Sequence, residues 1–171
     1  MRLFMISGPC GSGKSTMKDA LSEIMDPNVY ACIDIDEVGY NWWDYAGTDH
    51  ESKYHDDCIA EAVKRAAGRD LIFVSCTNPQ DFIEKHVLPE GVDSTVFIIL
   101  NPTDEAIWER LRARPAERGF TSDDKIEPHI GYNQWFRRNK GKFPLVIDNT
   151  NQTIDETAGI IRKFIENYPK M

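Results

Sequence analysis

The chain has 171 residues, of which 41 % are hydrophobic and 28 % are charged, as is usual for one globular domain. Its net charge of −8 argues against non-specific nucleic-acid binding, and no apolar run reaches membrane-spanning length. The four cysteines form no Cys-x-x-Cys pair. No signal peptide is expected, because the sequence enters a strand-like run directly. A cytoplasmic protein with reduced thiols is therefore expected.

The chain opens on an apolar run at residues 3–6, which leads directly into the P-loop pattern G-x-x-x-x-G-K-[ST]. Glycines in this motif let backbone N–H groups surround phosphate oxygens, and the following helix adds its positive end. Lys14 is expected to reach the β- and γ-phosphates, and the Ser15 hydroxyl to bind Mg²⁺. The motif predicts a site for a nucleoside triphosphate formed by Gly8, Pro9, Cys10, Gly11, Ser12, Gly13, Lys14, Ser15 and Thr16.

Strand-like and helix-like segments alternate along the chain, which predicts a parallel sheet covered by helices on both faces. Strands are expected at residues 3–7, 29–34, 71–75, 95–100 and 144–148. Helices are expected at residues 13–25, 49–67, 78–87, 103–114, 123–139 and 153–168. Capping boxes predict the starts of the second and last helices, at Thr48-x-x-Glu51 and Thr153-x-x-Glu156. The apolar face of the last helix is expected to include Ile154. Residues 1–171 are interpreted as a single α/β domain.

Two aspartates, Asp34 and Asp36, stand at the end of the second strand, where period-2 geometry places both on one face. Because the carboxyl ends of parallel strands line the ligand crevice of such sheets, both are expected near the P-loop. Asp34 is interpreted as a magnesium residue, and Asp36 as the group that orients or deprotonates an acceptor hydroxyl. The alternative is that one or both cap the following helix.

An aromatic passage follows within residues 37–70, the region expected to bind the acceptor. Four aromatic side chains in six residues, among which Tyr40 and Trp43 are the expected contacts, can stack on a planar ring such as a nucleobase. Alternatively, they form a small hydrophobic core. The third strand ends in Ser75, where many P-loop enzymes carry an acidic magnesium residue. The metal is therefore expected to depend on Ser15 and the two aspartates.

Basic side chains concentrate in residues 109–142, which hold nine of the 20 Lys and Arg but five of the 28 Asp and Glu. Arg110 and Arg114 are four residues apart, so they share one helix face. A loop at residues 114–123 predicts a short lid that would bring Arg114 and Arg118 over the phosphates. The alternative is an ordinary solvated helix face. After the lid, a second set of candidates for the acceptor comprises His129, Tyr132, Asn133, Gln134 and Trp135.

These features resemble the nucleoside/nucleotide kinase-like P-loop phosphotransferases, which include adenylate, shikimate and gluconate kinases. The resemblance rests on the P-loop, Asp34-x-Asp36, Arg110-x-x-x-Arg114 and Asp148-Asn149-Thr150. It implies a three-layer α/β sandwich with a five-stranded parallel sheet in the order 2-3-1-4-5, and Mg²⁺–ATP as phosphoryl donor. It also implies that Arg110 stacks near the adenine, and that the base is bordered by Asn149, Thr150 and Asn151.

No single member of that family fits. Adenylate kinases have an acidic residue and an arginine after the third strand, and shikimate kinases have a glycine-rich turn there. This chain has the sequence SCTNPQ at that point, residues 75–80.

The resulting prediction is an ATP-dependent kinase for a hydroxyl-bearing small molecule, with a nucleoside-type compound as first choice. A phosphate acceptor would need arginines, whereas residues 34–63 contain one basic residue, Lys53. The alternatives are a nucleoside monophosphate kinase that grips its acceptor with Arg137 or Arg138, a 5′-hydroxyl polynucleotide kinase, and a nucleotide-dependent switch or binding module. A small-molecule acceptor is the expected partner, without a membrane, and the acidic balance disfavours nucleic acid.

Overall fold

Five parallel strands form one sheet in the computed structural model, which describes residues 1–80 and 89–169. The strands are β1 Arg2–Ser7, β2 Tyr30–Asp34, β3 Asp70–Val74, β4 Ser94–Leu100 and β5 Leu145–Ile147. The described helices are α1 Lys14–Ile24, α2 Tyr54–Ala66, α3 Asp104–Arg112, α4 Asp123–Arg138 and α5 Ile154–Asn167. The strand order β2-β3-β1-β4-β5 confirms the predicted α/β fold.

The central strand β1 is buried on both faces and divides the protein into two apolar cores. Its side chains Leu3 and Met5 pack with α2 and with Phe136 of α4. The intervening Phe4 and Ile6 pack on the opposite face, against α1 and α5. This alternation is the period-2 pattern of a strand, and it fixes the carboxyl end of β1 as the rigid starting point of the P-loop. Among the described helices, none combines the length and apolarity needed to cross a bilayer.

The predicted start of the second helix is wrong. The α-helix begins at Tyr54, after a 3₁₀ turn at Glu51–Lys53. The Thr48 hydroxyl donates to the carbonyl of Tyr45 at 2.7 Å, and the Glu51 carboxylate accepts from the N–H of Gly47 at 2.6 Å. The two side chains therefore stabilise the preceding turn and do not form the reciprocal bonds of a capping box.

The predicted start of the last helix is confirmed. The Thr153 hydroxyl accepts from the N–H of Glu156 at 3.2 Å, and the Glu156 carboxylate accepts from the N–H of Thr153 at 2.8 Å. The predicted helix at residues 78–87 begins at Pro79, and its continuation from residue 81 lies outside the described residues.

An ion pair between Arg2 and Asp70 joins the beginnings of β1 and β3. The guanidinium donates to the Asp70 carboxylate at 2.6 and 2.9 Å, and a third nitrogen donates to the carbonyl of Tyr168 at 2.7 Å. Burial raises the pKa of Asp70, but the hydrogen bonds and charge of Arg2 outweigh it, so the net direction is downward. Both side chains are largely buried, at 8 % and 13 % exposure.

Removing the charge of Asp70 should therefore destabilise the protein. We expect Asp70→Asn to lower the free energy of unfolding by about 3–5 kcal/mol, because it leaves the buried Arg2 without its partner. The matched control is Glu166→Gln, which removes an exposed pair with Arg162 and should change stability by less than about 1 kcal/mol. Urea titrations at pH 7 measure both differences.

The same ion pair predicts a pH dependence. Because the pKa of folded Asp70 lies below its ordinary value of 3.8, its stabilisation is complete above pH 3.8 and is lost as the pH falls through the folded pKa. The difference between the native protein and Asp70→Asn should shrink in that window. An equal loss of stability in the Asp70→Asn and Glu166→Gln proteins would contradict this assignment.

Candidate functional site

The P-loop leaves the carboxyl end of β1 through a path that only glycine fits. A Cβ on Gly8 would lie 2.6 Å from the carbonyl oxygen of Leu100 and 2.7 Å from the Ser12 hydroxyl. Gly11 has φ +82°, and a Cβ there would lie 3.0 Å from a side-chain carbon of Leu111 in α3. The loop is thus packed against β4 and α3 while its own backbone stays open on the remaining side.

The helix that follows the P-loop begins as an anion site. Gly13 is its N-cap, no side chain caps the N-terminus, and its first turn holds no acidic residue. The predicted ligands Ser15 and Thr16 are exposed in that turn. Unpaired N–H groups and the positive end of the helix dipole together favour a bound phosphate. This cradle fits the triphosphate of a nucleotide.

Lys14 folds back over the loop that precedes it. Its ammonium group donates to the carbonyls of Gly8 and Pro9 at 2.8 and 2.9 Å. Burial lowers the pKa of Lys14, nearby Cys10, Cys76 and Asp34 act in the opposite direction, and Arg114 lowers it further. A phosphate bound beside the ammonium would therefore offset both the energetic cost of its burial and its repulsion by Arg114.

Arg110 and Asn149 clamp the other side of the P-loop. The Asn149 amide donates to the carbonyl of Ser12 at 2.9 Å. Arg110 donates to the carbonyl of Asn149 at 3.0 Å and to that of Gly11 at 3.4 Å. Beside this clamp lies a pocket of about 350 Å³. Six predicted site residues line it, namely Gly11, Gly13, Thr16, Arg110, Arg114 and Asn149.

The beginning of α5 also lines this pocket, which the sequence analysis did not predict. Ile154, expected on the core face of its helix, is 51 % exposed and lines the pocket. Gln152 and Thr157 also line it, and the Thr157 hydroxyl donates to the Gln152 side-chain oxygen at 2.9 Å. An apolar first residue in a capped helix is the only local signal of this role, and it is a weak one.

The other two residues of the predicted base-binding turn, Thr150 and Asn151, do not line this pocket. The Thr150 hydroxyl accepts from the N–H of Thr103 at 2.8 Å and so anchors the start of α3. Asn151 is exposed, and neither residue is among those that line the 350 Å³ pocket. Of the three turn residues, Asn149 is the one that the fold brings to the P-loop.

The period-2 argument for the two aspartates is wrong, because β2 ends at Asp34 and residues 35–37 form a 3₁₀ turn. The Asp34 carboxylate accepts from the N–H of Asp36 at 3.1 Å, so it caps this turn, as the alternative interpretation held. Asp34 is buried and acts electrostatically on Lys14, which places its carboxylate beside the P-loop. Asp36 is exposed and acts on Tyr54 and Cys76. The turn, and not a strand face, therefore brings both carboxylates to the crevice.

Hydroxyl groups replace the acidic residue that many P-loop enzymes carry after the third strand. The hydroxyls of Ser75 and Thr77 lie 2.6 Å apart, and that of Thr77 lies 2.8 Å from Nδ1 of His55. Within residues 1–80 and 89–169, no group of three or more His, Cys, Asp or Glu could hold a metal ion. Mg²⁺ is commonly held by one or two protein oxygens together with phosphates and water, and Ser15 and Asp34 fit that requirement.

The aromatic passage divides into a packed part and an exposed part. Trp42 and Tyr45 each contact the ring of Tyr54, with centroids 5.3 Å apart. These three rings form the small core that was the alternative interpretation. Tyr40, one predicted acceptor contact, is 42 % exposed and contacts the ring of Tyr45 edge-to-face, with centroids 6.2 Å apart, so it belongs to the packed part. Trp43, the other predicted contact, is 78 % exposed and forms the exposed part.

The predicted lid follows α3 and contains a 3₁₀ turn at Ala116–Arg118. Because α3 ends at Arg112, Arg114 lies beyond the helix, and the predicted helix face shared with Arg110 is wrong. Arg114 lies at the start of the lid, is half-buried, and lines the 350 Å³ pocket together with Arg110. The side chain of Arg118 lies outside the described part of the chain. After the lid, Asn133 and Gln134 both donate to Asp104 at 2.9 Å, which removes them from the candidates for the acceptor.

Comparison with known proteins agrees with this architecture. A family model described as an AAA domain matches residues 5–128. Similar solved structures include a shikimate kinase from Acinetobacter baumannii in complex with shikimate (TM-score 0.61, 14 % identity, 99 % of this chain and 96 % of that chain). A sugar kinase from Janibacter sp. HTCC2649 has a TM-score of 0.65 at 17 % identity, over 99 % of this chain and 96 % of that chain.

A deoxyadenosine kinase from M. mycoides has a TM-score of 0.55 at 17 % identity, over 99 % of this chain and all of the other. Among curated proteins, no sequence matches this chain significantly. The structural likeness confirms the P-loop kinase-like fold expected from the sequence.

The glycine cradle generates a direct test. Gly8→Ala should weaken ATP binding at least about tenfold, because the added Cβ forces the backbone at Leu100 or the loop itself to move. The matched control is Gly131→Ala in α4, where an added Cβ meets nothing within 4 Å. That change should leave ATP binding intact and stabilise the helix by about 0.5–1 kcal/mol. Calorimetric ATP titration and thermal unfolding measure the two effects, and equal affinities in both variants would contradict the packing argument.

Proposed function

The chain belongs to the AAA-domain family, and from that premise we propose that it is an ATP-dependent kinase that phosphorylates a hydroxyl group of a small molecule. The observation that carries this proposal is the convergence of the P-loop, Arg110 and Arg114 on one pocket of about 350 Å³. The structural relatives named above are a shikimate, a sugar and a deoxyadenosine kinase. Their names support a small-molecule acceptor.

At the nucleotide side, the P-loop amides and Lys14 hold the phosphates, and Arg110 and Asn149 border the base. Ser15 and Asp34 would hold Mg²⁺, directly or through water. ATP supplies the phosphoryl group that is transferred, and a bound Mg²⁺ would neutralise its charge. In such a reaction the protein contributes mainly positioning and electrostatic stabilisation, which donors fixed by the fold deliver without reorganisation.

At the acceptor side, Asp36 accepts the proton of the attacking hydroxyl. Its exposure and its proximity to the end of β3 and the start of α2 support this role. Tyr40 and Trp43 stack on the acceptor, and the 78 % exposure of Trp43 supports a ring that awaits a partner. A nucleoside-type compound satisfies both features.

A phosphate-bearing acceptor is the weaker choice. Arg137, a candidate for gripping such a phosphate, donates to the Asp104 carboxylate at 2.9 Å and to the carbonyl of Pro102 at 3.3 Å. The charge of Arg137 is thus already compensated by Asp104, and binding of an acceptor phosphate by Arg137 would require this ion pair to break.

The lid contributes the last two charges. Arg114 and Arg118 close over the triphosphate, stabilise the charge of the transferring group and exclude water. Support comes from Arg114, which lines the pocket and makes no ion pair within the described part of the chain.

The four free cysteines support a cytoplasmic location, where thiols stay reduced. The net charge of −8 supports a small molecule and not a nucleic acid as the partner. Residues 1–171 then act as one kinase domain.

The activity is tested by ADP release with a panel of nucleosides, nucleoside monophosphates, sugars and 5′-hydroxyl oligonucleotides. We expect acceptor-dependent ADP release with a nucleoside, and a loss of kcat/KM of about 10²–10³-fold in Lys14→Ala, since a donor to the transferring group is gone. The control is Lys163→Ala, an exposed lysine of α5, which should keep full activity. Turnover of monophosphates or oligonucleotides would favour the corresponding alternative kinase, and acceptor-independent hydrolysis alone would favour a switch.

The two aspartates should separate by role. Asp34→Asn should raise the Mg²⁺ concentration required for half-maximal rate, while its amide oxygen still caps the turn. Asp36→Asn should leave the Mg²⁺ requirement unchanged and lower phosphoryl transfer by about 10²–10⁴-fold. Magnesium titrations of both variants with a working acceptor decide the matter. Exchanged defects would reverse the assignment, and full activity in Asp36→Asn would remove its role as a base.

A further inference from the structure

A histidine that the proposed mechanism leaves out lies against the P-loop. Ile126 and Ile130 of α4 are buried in a small cluster with Ile107 and Leu111 of α3, and Cys10 of the P-loop packs against the same cluster. His129 follows Ile126 by three residues and therefore lies on the same side of the helix. The packing of α4 beside Cys10 thus brings His129 close enough to the P-loop for the charge of Lys14 to act on its imidazole.

One side of this imidazole is covered by the lid. The ring of Phe120 contacts that of His129 edge-to-face, with centroids 5.0 Å apart and an angle of 81° between the planes. Phe120 has a left-handed backbone conformation, φ +57°, which a bulky residue adopts at a cost. That backbone conformation holds the aromatic ring on the imidazole, so the histidine is half-buried between the lid and the P-loop.

The charged groups that act on the imidazole are both cations. Burial lowers the pKa of His129, and Lys14 and Arg114 lower it further. Arg114 acts in the same direction on Lys14. The positive charges of Lys14 and of Arg114, which follows α3, therefore lie together beside the imidazole and repel each other there. An anion bound between them would remove this repulsion.

We propose that His129 binds the terminal phosphates of the nucleotide, donating a hydrogen bond to a phosphate oxygen. This inference rests on the proposed function, since it assigns a further residue to the same site. In the free protein the imidazole is neutral near pH 7, because its pKa lies below the ordinary value of 6.5. The negative charge of the triphosphate favours the imidazolium, so nucleotide binding takes up a proton from solvent. A second ring nitrogen then becomes a donor, and the hydrogen bond becomes charge-assisted.

Protonation sets the direction of the pH effect. Between the pKa of the free protein and the higher pKa of the complex, binding is accompanied by proton uptake, and affinity falls as the pH rises. A purely structural histidine that packs against Phe120 would not link affinity to pH in this way. Proton uptake is therefore the diagnostic readout.

The experiment is calorimetric titration with Mg²⁺ and a non-hydrolysable ATP analogue at pH 6 and 8, in two buffers of different ionisation enthalpy. The native protein should take up protons and bind more tightly at pH 6. His129→Gln keeps an amide donor but cannot titrate, so it should abolish the proton uptake that depends on this residue. His129→Ala should bind about 10- to 100-fold more weakly at pH 6, the loss expected for one hydrogen bond to a charged group. The control His50→Gln removes an exposed histidine and should behave as the native protein does.

Two further measurements separate this inference from the proposed function. Lys14→Ala should lose nucleotide binding; if it binds normally, the P-loop assignment and the proposed kinase both fail. If Lys14→Ala loses binding but His129→Gln and the native protein take up equal numbers of protons, the proposal for His129 alone is overturned. In the native protein, the imidazole resonance that His129→Gln removes should shift toward the protonated form on addition of nucleotide. An unchanged resonance in the native protein would also overturn the proposal.

Discussion

The site depends on one constraint: the P-loop must be packed tightly while its N–H groups remain available for a ligand. Backbone carbonyls inside a protein require donors, and an unpaired one is costly. Here side chains supply donors to these carbonyls, and the N–H of Ser12 also donates to the carbonyl of Pro9 at 3.2 Å within the loop. The side chain of Lys14 donates to the carbonyls of Gly8 and Pro9. Arg110 donates to the carbonyl of Gly11, and Asn149 donates to that of Ser12. The fully buried strand β1 supplies the rigid base from which this arrangement starts.

Basic side chains around the P-loop concentrate positive charge in an acidic protein. The chain carries −8 overall, yet Lys14 and Arg114 lie close enough to affect each other and His129. Their mutual repulsion and burial raise the free energy of the protein without ligand, and a bound anion lowers it again. Local charge and not total charge therefore decides the class of ligand, and it favours a compact polyanion over an extended nucleic acid.

The acceptor side combines a fixed carboxylate turn with a less packed aromatic surface. Lys18 of α1 donates to the Glu37 carboxylate at 2.6 Å, and Arg65 of α2 donates to the carbonyls of Glu37 and Val38 at 2.8 Å. These bonds hold the turn that carries Asp36 against two helices. Trp43, at 78 % exposure, lies outside this framework. The proposed base is thus positioned before the acceptor arrives, whereas the proposed stacking surface can adapt to it.

The sequence by itself determined the P-loop and the strand–helix alternation, because each depends on contacts within a few residues. The predicted helix face shared by Arg110 and Arg114 is wrong, because the helix ends at Arg112. Tertiary structure decided the rest. Period-2 spacing cannot show that β2 ends at Asp34, since the end is set by the turn and the helices packed on it. The clamp between Asn149 and Ser12 joins residues 137 positions apart, and His129 meets the P-loop only through the packing of α4 on α3. No local pattern encodes such encounters, because they depend on how strands are ordered and helices pack across the sheet.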